Sequence, residues 1–124
     1  MLTGLTIKDF ISKVISNDPV PGGGSVSALN GALAAALSAM VANLTVGRKK
    51  YAEVNDLMQE LSTRFEKLSQ KLIEDVDRDS DAYNRVFAAF KLPKETDEEK
   101  QLRSEAIQQE TKYAAQVPME VARA

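Results

Sequence analysis

The feature that most constrains the fold is the stretch from Pro19 to Gly47, which contains no charged side chain. Alanine dominates it, and Ser25 and Gly47 stand where a helix N-cap and a C′ residue are expected, so one long helix is predicted. At about 1.5 Å per residue it would span roughly 33 Å, which is enough to cross a bilayer. Alanine anchors weakly in lipid, and Asn30 and Asn43 would need partners there. We therefore predict a central helix packed on most sides, with no membrane association.

Small residues recur along this helix at helical spacing. They form two ridges, one of Ala28, Ala32 and Ala36 and the other of Gly31, Ala35, Ala39 and Ala42. Ridges of small side chains allow a neighbouring helix to approach closely. Close helix packing is therefore predicted along this segment, within one subunit or between two.

Apolar periodicity predicts further helices on both sides of this segment. A short amphipathic helix follows Thr6, which can act as its N-cap with Asp9 three residues later. A longer one is predicted from Ala52 to about Lys91, where no glycine or proline interrupts a stripe of apolar residues three or four positions apart. The stripe contains Val54, Leu57, Met58, Leu61, Phe65, Leu68, Leu72, Val76, Tyr83, Val86, Phe87 and Phe90.

The last predicted helix has Thr96 as N-cap and Glu99 in the N3 position, the pattern of a capping box. Pro118 is expected to end or kink this helix and to begin another. No strand pattern is present. The chain of 124 residues is therefore predicted to be a single all-α domain over 1–124, an antiparallel helical bundle with long helices.

Composition excludes several kinds of function. The absence of cysteine and histidine removes disulfides, thiol nucleophiles, His-containing triads and zinc sites built from those ligands. A net charge of -2 gives no basic surface for nucleic acid. If the protein is an enzyme, acid–base chemistry would therefore fall to Asp, Glu, Lys, Tyr or Ser. The first ten residues lack a signal-peptide pattern, so a cytoplasmic location is expected.

Four alternate aspartates lie within the long periodic helix, in the segment "EDVDRDSDAY": Asp75, Asp77, Asp79 and Asp81. A calcium loop is excluded, because counting from Asp75 puts Ser80 where glycine is needed and Val86 where the bidentate glutamate is needed. A solvated acidic patch would account for most of these residues.

Helical phase distinguishes Asp79 from its neighbours. It falls between Val76 and Tyr83, in the middle of the apolar stripe, whereas Asp77 and Asp81 are predicted to face water. A carboxylate on a packed face costs several kcal/mol unless it is paired or neutralised. Two explanations stay open at this point. Asp79 is either a structural partner of a cation or of an amide such as Asn30 or Asn43, or a functional group whose pKa burial raises.

The glycines of "PGGGS" also allow two interpretations. They can form a plain linker, or they can let backbone N–H groups at a helix N-terminus approach a ligand without interference from side chains. The basic cluster from Arg48 to Lys50 is typical of a helix end and could also receive an anionic tail.

Several stretches, taken together, resemble the formiminotetrahydrofolate cyclodeaminase / methenyltetrahydrofolate cyclohydrolase family. They are "PVPGGGSVSALNGALAAALSAMVANLTVGRKKY", "DVDRDSDAY", "FKLPKETDEEKQLR" and "VPMEVA". The resemblance implies an all-helical, homodimeric folate enzyme with a folate crevice near the glycine turn. The family's catalytic aspartate lies in a D-x-D-x-x-A-[FY] motif, whose catalytic position matches Asp79 here.

The resemblance also implies a substrate and a set of binding residues. The substrate would be a tetrahydrofolate derivative, either hydrolysed from the 5,10-methenyl to the 10-formyl form or formed from the 5-formimino form with release of ammonia. The substrate-binding candidates are Pro21, Gly22, Gly23, Gly24, Ser25, Asn43 and Lys49. Family domains continue beyond the "VPM" segment, so this chain is expected to correspond to their N-terminal portion. The alternative is a non-catalytic helical module that binds folate or another protein.

Overall fold

A computed structural model describes all residues from 1 to 124 and contains helices and turns but no strand. The α-helices are α1 (Ile7–Ile15), α2 (Gly23–Thr45), α3 (Asn55–Phe90) and α4 (Asp97–Arg123), and two 3-10 segments cover Leu2–Gly4 and Lys49–Val54. The predicted all-α class is confirmed.

Helices α2 and α3 form the centre of the fold and run antiparallel. The Ser25 hydroxyl donates to the Val76 carbonyl at 2.7 Å near one end, and the Ser69 hydroxyl donates to the Ala32 carbonyl at 3.0 Å further along. Residue numbers thus rise along one helix as they fall along the other. The two helices approach closely enough for a serine side chain to reach across to the neighbouring backbone.

Small side chains make this approach possible. The buried residues of α2 are Ser25, Ala28, Ala32, Ala35, Ala39 and Ala42. Steps of three and four residues separate them, which is the spacing of a helix–helix seam. A Cβ added at Gly31 would lie 3.1 Å from the Leu72 side chain, so the packing is tight there too. The two predicted ridges thus merge into one seam. Ala36 lies outside that seam and is exposed.

The prediction that α2 is packed on most sides is wrong. The side of α2 that points away from α3, here called the outer face, consists of Leu33, Leu37, Met40, Val41 and Leu44. Each of these residues is 49% to 60% exposed. The reason is that α3 is the main neighbour of α2 along its length. By length and hydropathy alone α2 would also qualify as a membrane span, although in this fold its small-residue side forms a core seam.

The predicted helix ends are mostly confirmed. The Thr6 hydroxyl accepts from the Asp9 N–H, Thr96 and Glu99 form a complete capping box, and Gly47 has a φ of 80° just beyond α2. The prediction that Ser25 caps α2 is wrong, because α2 already begins at Gly23. The Ser25 hydroxyl lies one turn inside the helix and bonds to α3 instead.

The prediction of a break at Pro118 is also wrong, because α4 continues through it to Arg123. Proline removes one backbone hydrogen bond and crowds the preceding turn. Packing against α3 offsets that cost, since Val117 is completely buried and Glu120 pairs with Arg78.

Arg78 links a buried carboxylate of α3 to α4. Asp75 is fully buried and accepts from Arg78 Nη1 at 2.6 Å and from Lys71 Nζ at 3.1 Å. Arg78 also donates through Nη2 to Glu120 of α4 at 2.9 Å. The hydrogen bonds to Glu120 and Asp75 raise the pKa of Arg78, so the guanidinium stays charged.

The apolar stripe predicted along α3 is buried only in its middle. Leu72 and Val76 lie in the core, but Tyr83, Phe87 and Phe90 are 40%, 43% and 53% exposed. The C-terminal part of α3 extends past α2, and α4 reaches a different side of it through the ion pair of Arg85 with Glu110. A substantial apolar surface therefore stays open.

Replacing Arg78 by methionine should destabilise the fold, because it leaves buried Asp75 with only Lys71 as a partner. We expect a loss of about 2 kcal/mol in the free energy of unfolding, measured by urea titration with circular dichroism. Arg64→Met is the matched control, since Arg64 pairs with Glu60 at the surface at 4.0 Å. It should change stability by less than about 0.5 kcal/mol, and equal effects of the two substitutions would contradict a structural tie through Asp75.

Candidate functional site

The glycine turn, residues 21–25, leads into the N-terminus of α2 and lies against the core. Val20 and Pro21 are buried, and Val20 packs in a cluster with Phe10, Ala28 and Val76. Gly22 is the N-cap and has no side chain to satisfy the first N–H groups of α2. Free N–H groups at a helix start carry a partial positive charge and can bind electron-rich ligand atoms.

Asp79 of α3 lies against this turn. A Cβ added to Gly24 would collide with the carboxylate of Asp79 through both oxygens, so any side chain at this position would displace the carboxylate. The neighbouring Gly23 has no atom within 4 Å of its added Cβ. Of the three glycines, Gly24 is therefore the one whose missing side chain makes room for Asp79.

Ser25 connects the start of α2 to the Asp79 turn of α3. Its hydroxyl lies 2.7 Å from the Val76 carbonyl, 2.7 Å from Ser80 Oγ and 3.4 Å from Asp79 Oδ2. Ser25 is completely buried and Ser80 nearly so. These contacts fix the position of the glycine turn relative to the Asp79 carboxylate.

Asp79 has no cationic partner, unlike the neighbouring carboxylate of Asp75. It is half-buried, and burial raises its pKa above the ordinary value, while hydrogen bonds from the side chain and backbone of Ser25 partly offset that effect. The structural alternative, a pairing with a cation or with Asn30 or Asn43, is not what the geometry shows. An unpaired carboxylate with a raised pKa can accept a proton and return it nearer neutrality than a solvated aspartate can.

The other aspartates are placed differently from one another. The prediction that Asp77 faces water is wrong: it is 9% exposed and accepts from the Leu2 N–H and the Thr3 hydroxyl, both at 2.6 Å. The reason is that the 3-10 turn at the N-terminus covers a third side of α3, which a single apolar stripe does not indicate. Asp81 is exposed, as predicted.

The predicted binding residues fall into two groups. Pro21, Gly22, Gly23, Gly24 and Ser25 all lie at the turn beside Asp79. Asn43 lies about 28 Å further along α2, where it accepts from the Ser62 hydroxyl, and Lys49 follows beyond the end of that helix. Within one chain these two residues do not join the Asp79 site.

A predominantly apolar groove is a separate feature. It has a volume of about 520 Å³ and lies between α1, the outer side of α2 and α3, with Phe10, Ile11, Leu29, Leu33 and Ile73 among its lining residues. Asp79 does not line it. We call it the α1 groove, and it offers almost no polar atoms.

Sequence reasoning missed two residues of the site. Ser80 was not singled out, although it follows Val76 by one helical turn and therefore faces the same seam. Asp77 was assigned to solvent, although it anchors the N-terminal turn beside the site. Small polar residues on a seam of alanines would have pointed to Ser80. No local pattern indicated the contact between Leu2 and Asp77, which lie 75 residues apart.

Comparison with known proteins gives one consistent family. The sequence profile of the family described as Formiminotransferase-cyclodeaminase matches residues 6–124. The chain is 42% identical over 114 residues to a methenyltetrahydrofolate cyclohydrolase of Methylorubrum extorquens and 37% identical over 116 residues to the formimidoyltransferase-cyclodeaminase of Sus scrofa. The crystal structure of formiminotetrahydrofolate cyclodeaminase from Thermotoga maritima superposes with a TM-score of 0.82 at 34% identity.

These relatives are longer than the chain. The match covers 92% of the chain but 55% of the Methylorubrum cyclohydrolase and 21% of the Sus scrofa protein. The superposition likewise covers 99% of the chain and 57% of the Thermotoga structure. The chain thus spans about half the length of the Methylorubrum cyclohydrolase and of the Thermotoga chain.

Replacing Asp79 by asparagine should change stability in a pH-dependent way. Because the pKa of Asp79 is raised on folding, the stability contributed by its protonated form is present below the unfolded pKa and is lost as pH rises through the folded pKa. Asparagine does not ionise, so the Asp79→Asn variant does not suffer that loss. The free energy of unfolding of the variant should therefore rise relative to that of the native chain as the pH increases from acidic to neutral. Urea titrations across this range measure the difference.

Asp81→Asn is the control for the pH experiment, because it makes the same change of charge at an exposed position two residues away. If the stability of the two variants depends identically on pH, partial burial of Asp79 is not the cause of the pH dependence.

Proposed function

Because the chain belongs to the formiminotransferase-cyclodeaminase family, we propose that it acts on the one-carbon unit of tetrahydrofolate, with Asp79 transferring the protons. The observation that carries this proposal is the position of Asp79: half-buried, without a cation, and pressed against Gly24 and Ser25 at the start of α2. A group that moves protons during catalysis needs such an intermediate environment rather than a permanent ion pair.

Hydrolysis of 5,10-methenyltetrahydrofolate to 10-formyltetrahydrofolate is the reaction we favour. Support comes from the 42% identity to a protein named as that cyclohydrolase, against 33% to 37% for the proteins named formimidoyltransferase-cyclodeaminase. The substrate is a cation, and the negative charge of Asp79 would stabilise it next to the turn.

The proton transfers balance with one carboxylate. Asp79 takes a proton from the attacking water as its oxygen bonds to the methenyl carbon. The hydroxyl of the resulting tetrahedral centre loses its one remaining proton to solvent, the bond from carbon to N5 breaks as the carbonyl forms, and Asp79 returns its proton to N5. The products are the 10-formyl form and one released proton, so the carboxylate ends in its starting state.

Cyclisation of 5-formiminotetrahydrofolate is the second candidate, supported by the likeness to a structure named formiminotetrahydrofolate cyclodeaminase. In this reaction N10 attacks the carbon of the protonated formimino group, Asp79 takes the proton from N10 and delivers it to the leaving NH2 group, and ammonia departs to leave the cationic 5,10-methenyl form. The same carboxylate serves both directions, because each route passes through a tetrahedral carbon between N5 and N10.

The glycine turn would hold the pterin end of the substrate. Asp79 lies directly against Gly24 and already accepts from the Ser25 N–H, so whatever the N–H groups of Gly22, Gly23 and Gly24 bind must be close to the reacting carbon. The pterin ring meets this condition, whereas the glutamate tail lies at the far end of the aminobenzoate group. Pro21 would support the turn from the core side.

The proposed chemistry uses no metal and no cofactor other than the folate substrate itself. Its proton transfers need only a carboxylate and hydrogen-bond donors, which the turn supplies. A cytoplasmic location, without nucleic-acid or membrane partners, belongs to the same proposal and rests on the folate chemistry and on the charge balance.

A homodimer is the quaternary state that we propose with this function. Asn43 and Lys49 lie about 28 Å or more from the turn, so they can serve this site only from a second copy of the chain. Sedimentation velocity of the chain, with and without folate, measures that state.

The competing function is a helical module without activity, in which the glycine turn is a hinge. Near-UV absorbance of 5,10-methenyltetrahydrofolate and an ammonia-release assay with the formimino form separate the possibilities. Both should be run on the chain and on a longer polypeptide that includes the rest of the family domain. Decay at the spontaneous rate in both, with no folate binding by calorimetry, would favour the module.

Asp79→Asn should abolish turnover while the fold stays intact, because asparagine cannot accept the proton. We expect a loss of about 10²-fold to 10⁴-fold in kcat. In the native sequence, kcat/KM should fall on the acid side at a pH above the ordinary aspartate pKa of about 3.9, because burial raises the pKa of Asp79. Asp81→Asn should leave both kcat and the pH profile nearly unchanged, and equal losses in the two variants would contradict the assignment.

Gly24→Ala should reduce kcat by about tenfold to a hundredfold, because the new methyl group displaces the Asp79 carboxylate. Gly23→Ala is the matched control: its Cβ would point into open space, so kcat should stay within about twofold. Both changes replace a helical glycine by alanine, which by propensity favours α2 by up to about 1 kcal/mol, and urea titration of both variants shows whether the collision at position 24 lowers stability as well as kcat. Equal activity of the two variants would show that contact with Asp79 does not matter.

A further inference from the structure

The Ser25 hydroxyl is surrounded by three oxygen atoms at the seam between α2 and α3. They are the Val76 carbonyl oxygen at 2.7 Å, Ser80 Oγ at 2.7 Å and Asp79 Oδ2 at 3.4 Å. Ser25 is completely buried and Ser80 is 4% exposed, so bulk water does not compete for these contacts. A serine hydroxyl has one proton to donate and two lone pairs that accept. Ser25 therefore cannot donate to all three oxygens.

Counting protons determines the direction of the bond between the two serines. Each contact of 2.7 Å is a hydrogen bond of ordinary length and needs one proton between its two oxygens. A carbonyl has no proton, so the bond to Val76 uses the proton of Ser25. The proton of the other bond must then come from Ser80. The Ser80 hydroxyl thus donates to Ser25.

The contact between Ser25 and Asp79 depends on the charge of the carboxyl group. While its proton lies on the Val76 carbonyl, Ser25 keeps one lone pair, which can accept from a protonated Asp79. An ionised Asp79 can only accept, so a rotation about the Cβ–Oγ bond turns the Ser25 proton from Val76 to Asp79. The Val76 carbonyl still accepts from a backbone N–H of α3, as in any helix interior. Ser25 can therefore serve both charge states of Asp79.

We propose that Ser80 is a positioning residue for the proton transfers of Asp79, and that it acts through Ser25. Its role rests on the proposed function, because only there does Asp79 have protons to transfer. A hydroxyl that accepts a hydrogen bond becomes a better donor and a poorer acceptor. Ser80 thus strengthens the bond that Ser25 donates to the carboxylate and weakens the bond that Ser25 accepts from the protonated form. Both effects favour the ionised form, which is the one that takes a proton from water.

The charged groups around Asp79 leave Ser25 as its hydrogen-bond partner. Helix α2 presents no charged side chain, because none occurs between Pro19 and Gly47. The charged groups of the other elements pair with one another, bond to the N-terminal turn or are exposed. They are Lys71, Asp75, Arg78 and Glu120 in one network, Lys13 with Asp18, Asp77 on the N-terminal turn, and the exposed Asp81 and Met1. Burial accordingly raises the pKa of Asp79, and hydrogen bonds from Ser25 are what lower it.

Titration of the Asp79 carboxyl group by NMR measures the role of Ser80 without turnover. The full chain carries isotope-labelled aspartate carboxyl groups, and the Asp79 signal is assigned by its absence in Asp79→Asn. Ser80→Ala should raise the pKa of Asp79 above its native value, because Ser25 loses the hydrogen bond that it accepts. Alanine is the better helix former, so the variant should keep its fold, which circular dichroism checks.

Ser69→Ala is the matched control, because the Ser69 hydroxyl also joins α3 to α2, by donating to the Ala32 carbonyl at 3.0 Å. A merely structural contribution of a seam serine would be lost in both variants, whereas the pKa of Asp79 should move in Ser80→Ala alone. On the acid side of the pH profile, kcat/KM should fall about twofold to tenfold in Ser80→Ala, the range expected for one hydrogen bond. In Ser69→Ala it should stay within about twofold.

A double-mutant cycle tests whether the effect passes through Ser25. In the Ser25→Ala background, Ser80→Ala should shift the pKa of Asp79 no further, because the hydroxyl that connects the two residues is missing. A shift as large as in the native background would overturn the proposal. So would a pKa of Asp79 that is unchanged or lowered in Ser80→Ala, or one that is raised equally in Ser69→Ala.

The titration separates this proposal from the proposed function, because it needs no substrate. A native titration in Ser80→Ala, together with full turnover, would refute the role of Ser80 and leave the folate activity standing. A raised pKa in Ser80→Ala, in a chain whose longer form also lacks turnover, would refute the folate activity and leave the hydrogen-bond arrangement standing.

Discussion

The rest of the structure depends on how closely α2 approaches α3. Alanine and serine on the seam bring the two backbones near enough for the short Ser25 side chain to bond to the Val76 carbonyl. The same approach brings Gly24 against the Asp79 carboxylate. A seam of leucines would hold the helices farther apart, and neither contact would form. The composition of one helix face therefore sets the geometry of the candidate site.

The sequence predicts those parts of the fold that local chemistry determines. The caps at Thr6 and Thr96, the turn at Gly47 and the small-residue contact surface of α2 each follow from a few neighbouring residues. The phase of Asp79 was also predictable, because helical periodicity is reliable over a 36-residue helix without glycine or proline. The match between that phase and the family motif gave the strongest pointer to a site.

Contacts between distant segments were not predictable in the same way. Asp77 looked solvated because its burial depends on Leu2 and Thr3, which lie more than seventy residues away. Pro118 looked like a helix break because the packing that offsets its cost comes from α3. Similarly, Asn43 and the glycine turn both appeared as candidate binding residues, but a straight helix keeps them far apart. In each case a local rule was applied correctly, and tertiary contacts determined the outcome.

The anchoring of α3 on three sides has a consequence for the geometry around Asp79. This helix is held by Arg78 towards α4, by Asp77 towards the N-terminal turn and by Val76 and Ser80 towards α2. The Asp79 carboxylate thus sits on an element that has little freedom to shift. Because Ser25 also ties the start of α2 to α3, the distance between the carboxylate and the glycine turn is set by the folded chain before any ligand binds. The arrangement around Asp79 is therefore preorganised.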